Sequence, residues 1–138
     1  MASFDDYTLS VDGVGVYAKG LPISMTANSA VYAGQIVKIS GADRQVAPAG
    51  VGEVAFGVAA YDAAAGEEVS VYPPGSMVYV IASGSITRGD LVGPTQSGAI
   101  GGFAVSLGTT APSSQSVRPC GIAIDNISAW GSGRIWLI

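Results

Sequence analysis

No histidine occurs in the 138 residues, and the only cysteine is Cys120. The first absence removes the commonest general base and the commonest transition-metal ligand. The second removes internal disulfides, thiolate metal clusters and redox pairs. Charge is scarce as well: Asp, Glu, Lys and Arg make up 12% of the chain, about half the usual share. The six basic residues, Lys19, Lys38, Arg44, Arg88, Arg118 and Arg134, are scattered. With no cluster to displace counterions from a phosphate backbone, direct nucleic-acid binding is not expected. Long apolar runs are missing too, since the richest stretch, 51–66, is broken by Glu53 and Asp62. That falls short of the ~18 residues a membrane-crossing helix needs, so no membrane partner is expected. Met1 to Asp6 lack a basic region followed by an apolar stretch, and with a single cysteine this points to synthesis in a reducing cytoplasm.

Enzyme readings lose their parts one by one. Asp12-Gly13-Val14-Gly15 does not continue into a dinucleotide or phosphate-loop fingerprint, so no cofactor is expected. Glu67 and Glu68 are adjacent and on a strand would face opposite ways, which suits solvent better than a shared substrate. Neither a metal site nor a catalytic residue is assigned.

What the chain has in abundance is apolar surface and turn residues. Mean hydropathy is +0.44, which for a chain without a membrane span predicts a large oligomer or docking interface. Twenty glycines and seven prolines punctuate short runs of Val, Ile and Tyr, the pattern of strands and turns. Candidate strands are Tyr7–Val11, Gly15–Ala18, Ile36–Ile39, Ala55–Ala60, Glu68–Tyr72, Met77–Ile81, Leu91–Val92, Gly121–Ile124 and Arg134–Ile138. Val69 and Val71 alternate with polar neighbours, and Pro73-Pro74-Gly75 ends their strand. Ala63-Ala64-Ala65 could open a helix, but Gly66 follows at once, so a turn is predicted.

The strongest feature is a repeat. Ala33-Gly34-Gln35-Ile36-Val37 corresponds to Arg88-Gly89-Asp90-Leu91-Val92, and Phe56-Gly57-Val58-Ala59-Ala60-Tyr61-Asp62 corresponds to Cys120-Gly121-Ile122-Ala123-Ile124-Asp125-Asn126. Each copy continues through a small-residue loop to a glycine and an alternating strand, Gly66 with Val69-Ser70-Val71 and Gly131 or Gly133 with Ile135-Trp136-Leu137. Units of this size do not bury a core alone, so two are expected to pack together. The expectation is an all-β protein, a small barrel or sandwich built from two related units, about 31–81 and 82–138, with 1–30 as an extended N-terminal arm or added strands.

Within that frame Gly34, Gly57, Gly66, Gly89 and Gly121 are turn or scaffold positions. Residues 101–108 are spacer, and 109–116 form an exposed loop. The Arg88-Gly89-Asp90 string, familiar as an adhesion signal, reads as scaffold because its counterpart Ala33-Gly34-Gln35 keeps only the glycine. Asp62 and Asp125 are assigned equivalent places where a carboxylate satisfies loop amides. Cys120 corresponds to apolar Phe56, which predicts a buried, inert thiol. Trp136 aligns with Ser70, and both Trp130 and Trp136 are candidates for an interface.

The segments "FGVAAYDAAAGEEVSVY", "RGDLVG" and "CGIAIDNISAWGSGRIWLI" resemble those of small bacteriophage head proteins, the capsid decoration or cement proteins. The resemblance spans about residues 30–138. It implies a virion protein on the capsid exterior, often a homotrimer, whose partner is the major capsid protein. Such a protein binds between capsomers and stabilises the shell, through many weak contacts that add over the particle. Interface candidates on this reading are Tyr7, Leu9, Tyr17, Trp130 and Trp136. A virion surface or head-fibre adhesion protein is the alternative, and a small-ligand-binding β-barrel stands further off.

Overall fold

In the computed structural model, residues 22–109 and 119–138 are described. Among them the glycine-punctuated apolar runs form ten strands and no helix. These are β1 (Ile23–Ala27), β2 (Ile36–Ile39), β3 (Gln45–Pro48), β4 (Gly57–Ala59), β5 (Glu68–Tyr72), β6 (Met77–Ile81), β7 (Leu91–Ser97), β8 (Ile100–Ser106), β9 (Gly121–Ala123) and β10 (Ser132–Leu137). The all-β expectation holds. The triple alanine is a turn, with Ala63 in an isolated bridge to Val31.

The first five strands close a barrel in the order β1-β3-β2-β4-β5. Its seam is shut on one side by parallel pairing of β1 with β3 and on the other by antiparallel pairing of β1 with β5. The last five form a sheet ordered β6-β10-β9-β7-β8. A single parallel bridge, Ala82 to Ala104, joins the ends of that sheet. Numbered from its own first strand, the second unit therefore repeats the strand permutation of the first.

Two boundaries move. Ile23–Ala27 lies inside the segment expected to be an extended arm or added strands, and it is a stave of the first barrel. Met77–Ile81, expected in the first unit, pairs with β10 in the second. Strands β1, β3 and β8 had no sequence counterpart, and β7 runs on from Val92 to Ser97. The candidate strands Tyr7–Val11 and Gly15–Ala18 lie outside the described residues, as does most of the predicted loop 109–116.

Period-two alternation places the core. In β5, Val69 and Val71 point inward while Glu68 is exposed, and in β6 Val78 and Val80 do the same against Met77 and Tyr79. Met25, Val31, Val37, Val46, Val69 and Val71 fill the first barrel. The second core joins Val78, Val80, Val92, Ile127, Ile135 and Leu137 to Ile36, Ala49 and Val58 of the first unit. One hydrophobic cluster thus crosses from unit to unit. Each buried Val or Ile stabilises by about 1.5–3 kcal/mol, so this shared core ties the two units into one cooperative body.

Polar bonds fix the seam. Gln35 is buried, and its Nε2 donates to the Gly101 carbonyl at 3.1 Å. The Gly102 N–H donates to the Ala49 carbonyl at 2.7 Å. A Cβ on Gly101 would lie 2.8 Å from the Ala49 carbonyl oxygen. Most of the 101–108 segment, read as spacer, belongs to strand β8 (Ile100–Ser106), whose glycines let the first unit's backbone come close.

Candidate functional site

The repeat is written in hydrogen bonds. In the first unit Gly34 N–H donates to Ala59 O, Gln35 N–H to Tyr32 O and Ala59 N–H to Gln35 O. In the second, Gly89 donates to Ala123 O, Asp90 to Thr87 O and Ala123 to Asp90 O. Gly34 and Gly89 take φ of +86° and +90°, the left-handed region that favours glycine. The side chain after each glycine caps its own turn: Gln35 Oε1 accepts from Tyr32 N–H at 2.8 Å and Asp90 Oδ2 from Thr87 N–H at 3.0 Å. Asp90 Oδ2 also accepts from the Ser106 hydroxyl at 2.7 Å. The acid of the adhesion-like string is thus engaged within its own fold.

This register corrects three sequence correspondences. Ala33 N–H donates to Asp62 Oδ1 and Arg88 N–H to Asn126 Oδ1, so the partner of Asp62 is Asn126, as the seven-residue match has it, and not the Asp125 assigned as its equivalent carboxylate. Trp136 pairs with Ile122 as Tyr72 pairs with Val58, so Trp136 corresponds to Tyr72 rather than Ser70. Gly66 N–H donates to Ala27 O as Trp130 N–H donates to Ala82 O, so Trp130 stands where the first unit has glycine. Gly57 and Gly121 are close-approach glycines: a Cβ on the first would run into the Tyr72 carbonyl, and on the second would lie 2.7 Å from that of Trp136.

Trp130 holds φ +61° against +89° at Gly66. A side chain in that region costs about 1–2 kcal/mol. The ring is exposed and meets Phe103 edge to face, centroids 5.1 Å apart. Trp130→Gly is therefore expected to unfold at higher urea than Trp130→Ala, by about 1 kcal/mol, because only glycine relieves the backbone.

With equivalent positions fixed, one row of side chains stands out. Register places Leu91, Ile122, Trp136 and Met77 side by side across β7, β9, β10 and β6. Their counterparts in the first unit are Ile36, Val58, Tyr72 and Pro22. Ile36 and Val58 are 0% and 1% exposed because the second unit covers them, with Tyr72 packed at the margin. In the second unit Ile122 and Met77 are 37% and 38% exposed, and Trp136 and Leu91 are half-buried. The same apolar row is therefore covered in one unit and open in the other. Tyr79 and Ile124 extend the open face, and both are exposed.

Arg134 sits beside that row, opposite Tyr79. Its Nε and Nη2 donate to the two oxygens of Asp125, each at 2.9 Å, and its N–H donates to Oδ2 at 3.1 Å. The side-chain bonds, then the backbone one, hold the Asp125 carboxyl down at about 2. A depressed folded value means the pair's contribution is present above the ordinary 3.8 and is lost as pH falls toward 2. In Arg134→Met the Asp125 carbon resonance should titrate near its ordinary value, read by NMR. The pair is partly open to solvent, so salt will weaken it.

Of the residues singled out from sequence, Trp136 lies within the open row and Trp130 on an exposed turn, while Tyr7, Leu9 and Tyr17 lie outside the described residues. Cys120 is buried, and desolvation pushes its thiol up to about 12. Ile122 and Leu91 were missed as site residues. Their isolated runs look like any core strand, and only the comparison of burial between units sets them apart.

A sequence family described as phage cement protein matches residues 16–136. Among solved structures, the N base of the head fiber gp8.5 in bacteriophage phi29 superposes with a TM-score of 0.65 at 23% identity, covering 86% of this chain and 93% of that one. At that identity the likeness concerns fold. No curated protein matches the chain.

Proposed function

Because the chain belongs to the phage cement protein family, we propose that it binds the outside of a capsid between capsomers and stabilises the shell. As a family member it is a structural component of a phage virion that associates with the capsid. The observation that carries the finer reading is the open row Leu91-Ile122-Trp136-Met77, whose counterpart the first unit buries against the second. A surface that one repeat needs covered remains open on the other, so it fits the first unit of a neighbouring copy. Such a contact joins unlike faces head to tail, and rings result when the rotation closes. A homotrimer would then alternate first and second units around an axis, with the remaining exposed apolar residues facing the major capsid protein. Tyr32, Tyr61, Val51 and Val54 are all exposed and suit that contact.

The test is cryo-electron microscopy of particles with and without the protein, paired with release of the genome on heating. Density spanning capsomer junctions, and earlier release without the protein, are the expected results. The phi29 neighbour is the base of a head fiber, and that favours one second reading, a base that carries a projecting fibre. Density that projects from the shell, with no change in release temperature, would support it and overturn cementing.

A further inference from the structure

The turn before β10 carries a residue that its own fold does not call for. Gly66 and Trp130 stand at equivalent left-handed positions, φ +89° and +61°. Each donates its N–H to an alanine carbonyl, Ala27 at 2.8 Å and Ala82 at 2.7 Å. Glycine serves at the first turn without strain. At the second, glycine comes one residue later, as Gly131, and the tryptophan takes the strained conformation itself. Little burial offsets this in the free protein. Trp130 is 57% exposed, and its aromatic contact is Phe103, with the ring planes at 87°. Strain held in a side chain that stays in water points to a contact made later, when a partner covers the ring.

The surroundings define the chemistry of that contact. Ser128, Ala129, Gly131 and Ser132 flank the ring in sequence, and Ser83 and Gly84 follow the Ala82 carbonyl to which its turn is bonded. The indole therefore rises from small residues, a knob shaped for a recess. No charged residue lies between Asn126 and Gly133, whereas the first unit places Glu67 and Glu68 directly after its glycine. An uncharged, apolar recess fits this knob. Trp130 comes just before Ser132, where β10 begins, and Trp136 of the open row stands near the far end of that strand. From Ser132 to Trp136 the strand runs roughly 13 Å. The knob thus lies away from the face assigned to self-contact.

We propose that Trp130, backed by Phe103, is the anchor that seats this chain on the capsid, its indole entering an uncharged apolar recess of the shell protein. The inference rests on the reading of the chain as a shell-binding protein, and it names the residue that makes the contact. Self-contact stays with the open row at the other end of β10. A tryptophan covered at the centre of an interface supplies a large share of the affinity, and each copy on the shell adds its own.

The experiment is binding of the full chain, Trp130→Gly and Trp130→Ala to shells that lack the protein, with sedimentation and melting measured on each. Trp130→Gly is expected to bind at least thirtyfold more weakly while keeping the sedimenting mass of the parent. Because glycine relieves the turn, that loss comes without a loss of stability relative to Trp130→Ala, which a purely structural role for the ring would not produce. Trp130→Gly with the shell affinity of the parent would overturn the proposal and leave the shell-binding reading intact. So would weak binding confined to Trp130→Ala, since affinity would then follow stability. Weak binding of Trp130→Gly together with a smaller sedimenting mass would also overturn it, because the ring would then serve self-contact. A parent chain that does not bind shells would remove the shell-binding reading itself, and the anchor with it.

Discussion

Lysine placed at Val58 is expected to unfold the protein, while lysine at the equivalent Ile122 is expected to leave it folded and unable to self-associate. The two positions share a place in the repeat: each pairs with an aromatic residue, Tyr72 or Trp136. They differ in cover, at 1% and 37% exposure. An ammonium at Val58 would sit without a counterion among Ile36, Val78 and Val80. Stranding a charge in that way costs about 3–5 kcal/mol, a large part of the stability of a domain this size. At Ile122 the lysine stem can lie along the sheet and its charge reach water, so melting followed by circular dichroism should shift little. On the proposed head-to-tail contact, what changes is association, because a charge now stands in the middle of the open row. Sedimentation should give the mass of a single chain, and binding to shells that lack the protein should fall by 100-fold or more, on the order of 3 kcal/mol. An Ile122→Lys protein with the mass and shell affinity of the parent would show that the row faces solvent in the assembled particle.

The second large effect belongs to the seam. Gly102 takes φ +87°, and a Cβ there would lie 2.8 Å from Gln35 Cβ and 3.1 Å from the Ile36 carbonyl oxygen. Gly102→Val combines a β-branched side chain in the left-handed region with a collision against backbone that cannot yield. The two penalties together reach about 4 kcal/mol, which for a chain of this length lowers the melting temperature by roughly 10–15 °C. Gly84→Ala is the control: nothing lies within 4 Å of the added carbon, and its melting should be unchanged. Equal melting of the two variants would mean that the units separate without cost.

The sequence showed most clearly what is local and doubled. Gly34 and Gly89 announced the two turns because a left-handed residue followed by a polar cap and an apolar pair is a short-range requirement. Val69 and Val71 announced β5 by alternation. What stayed hidden depends on the partner rather than on the residue. Gln45-Val46-Ala47-Pro48 ends in proline and Ile100-Gly101-Gly102 in paired glycines, both poor strand formers by propensity. They are strands because β2 lies beside the first and β7 beside the second, with Ala49 accepting from Gly102. The two-residue offsets that set Trp136 against Ser70 came from aligning glycines, and in the second copy a tryptophan occupies the glycine's place. As for the candidate site, the apolar excess signalled that a docking face exists. Its position could not be read, since Ile36 and Leu91 differ in what covers them and hardly at all in kind.

The buried thiol of Cys120 has a practical consequence. With its acidity pushed up to about 12 and its sulfur inside the second core, it will not compete for maleimide or other thiol reagents at neutral pH. It is also the chain's only cysteine. One cysteine introduced at an exposed turn position such as Ala99 would therefore be the sole site of conjugation. The protein could carry a dye, a peptide antigen or a gold cluster at a single defined address on every copy.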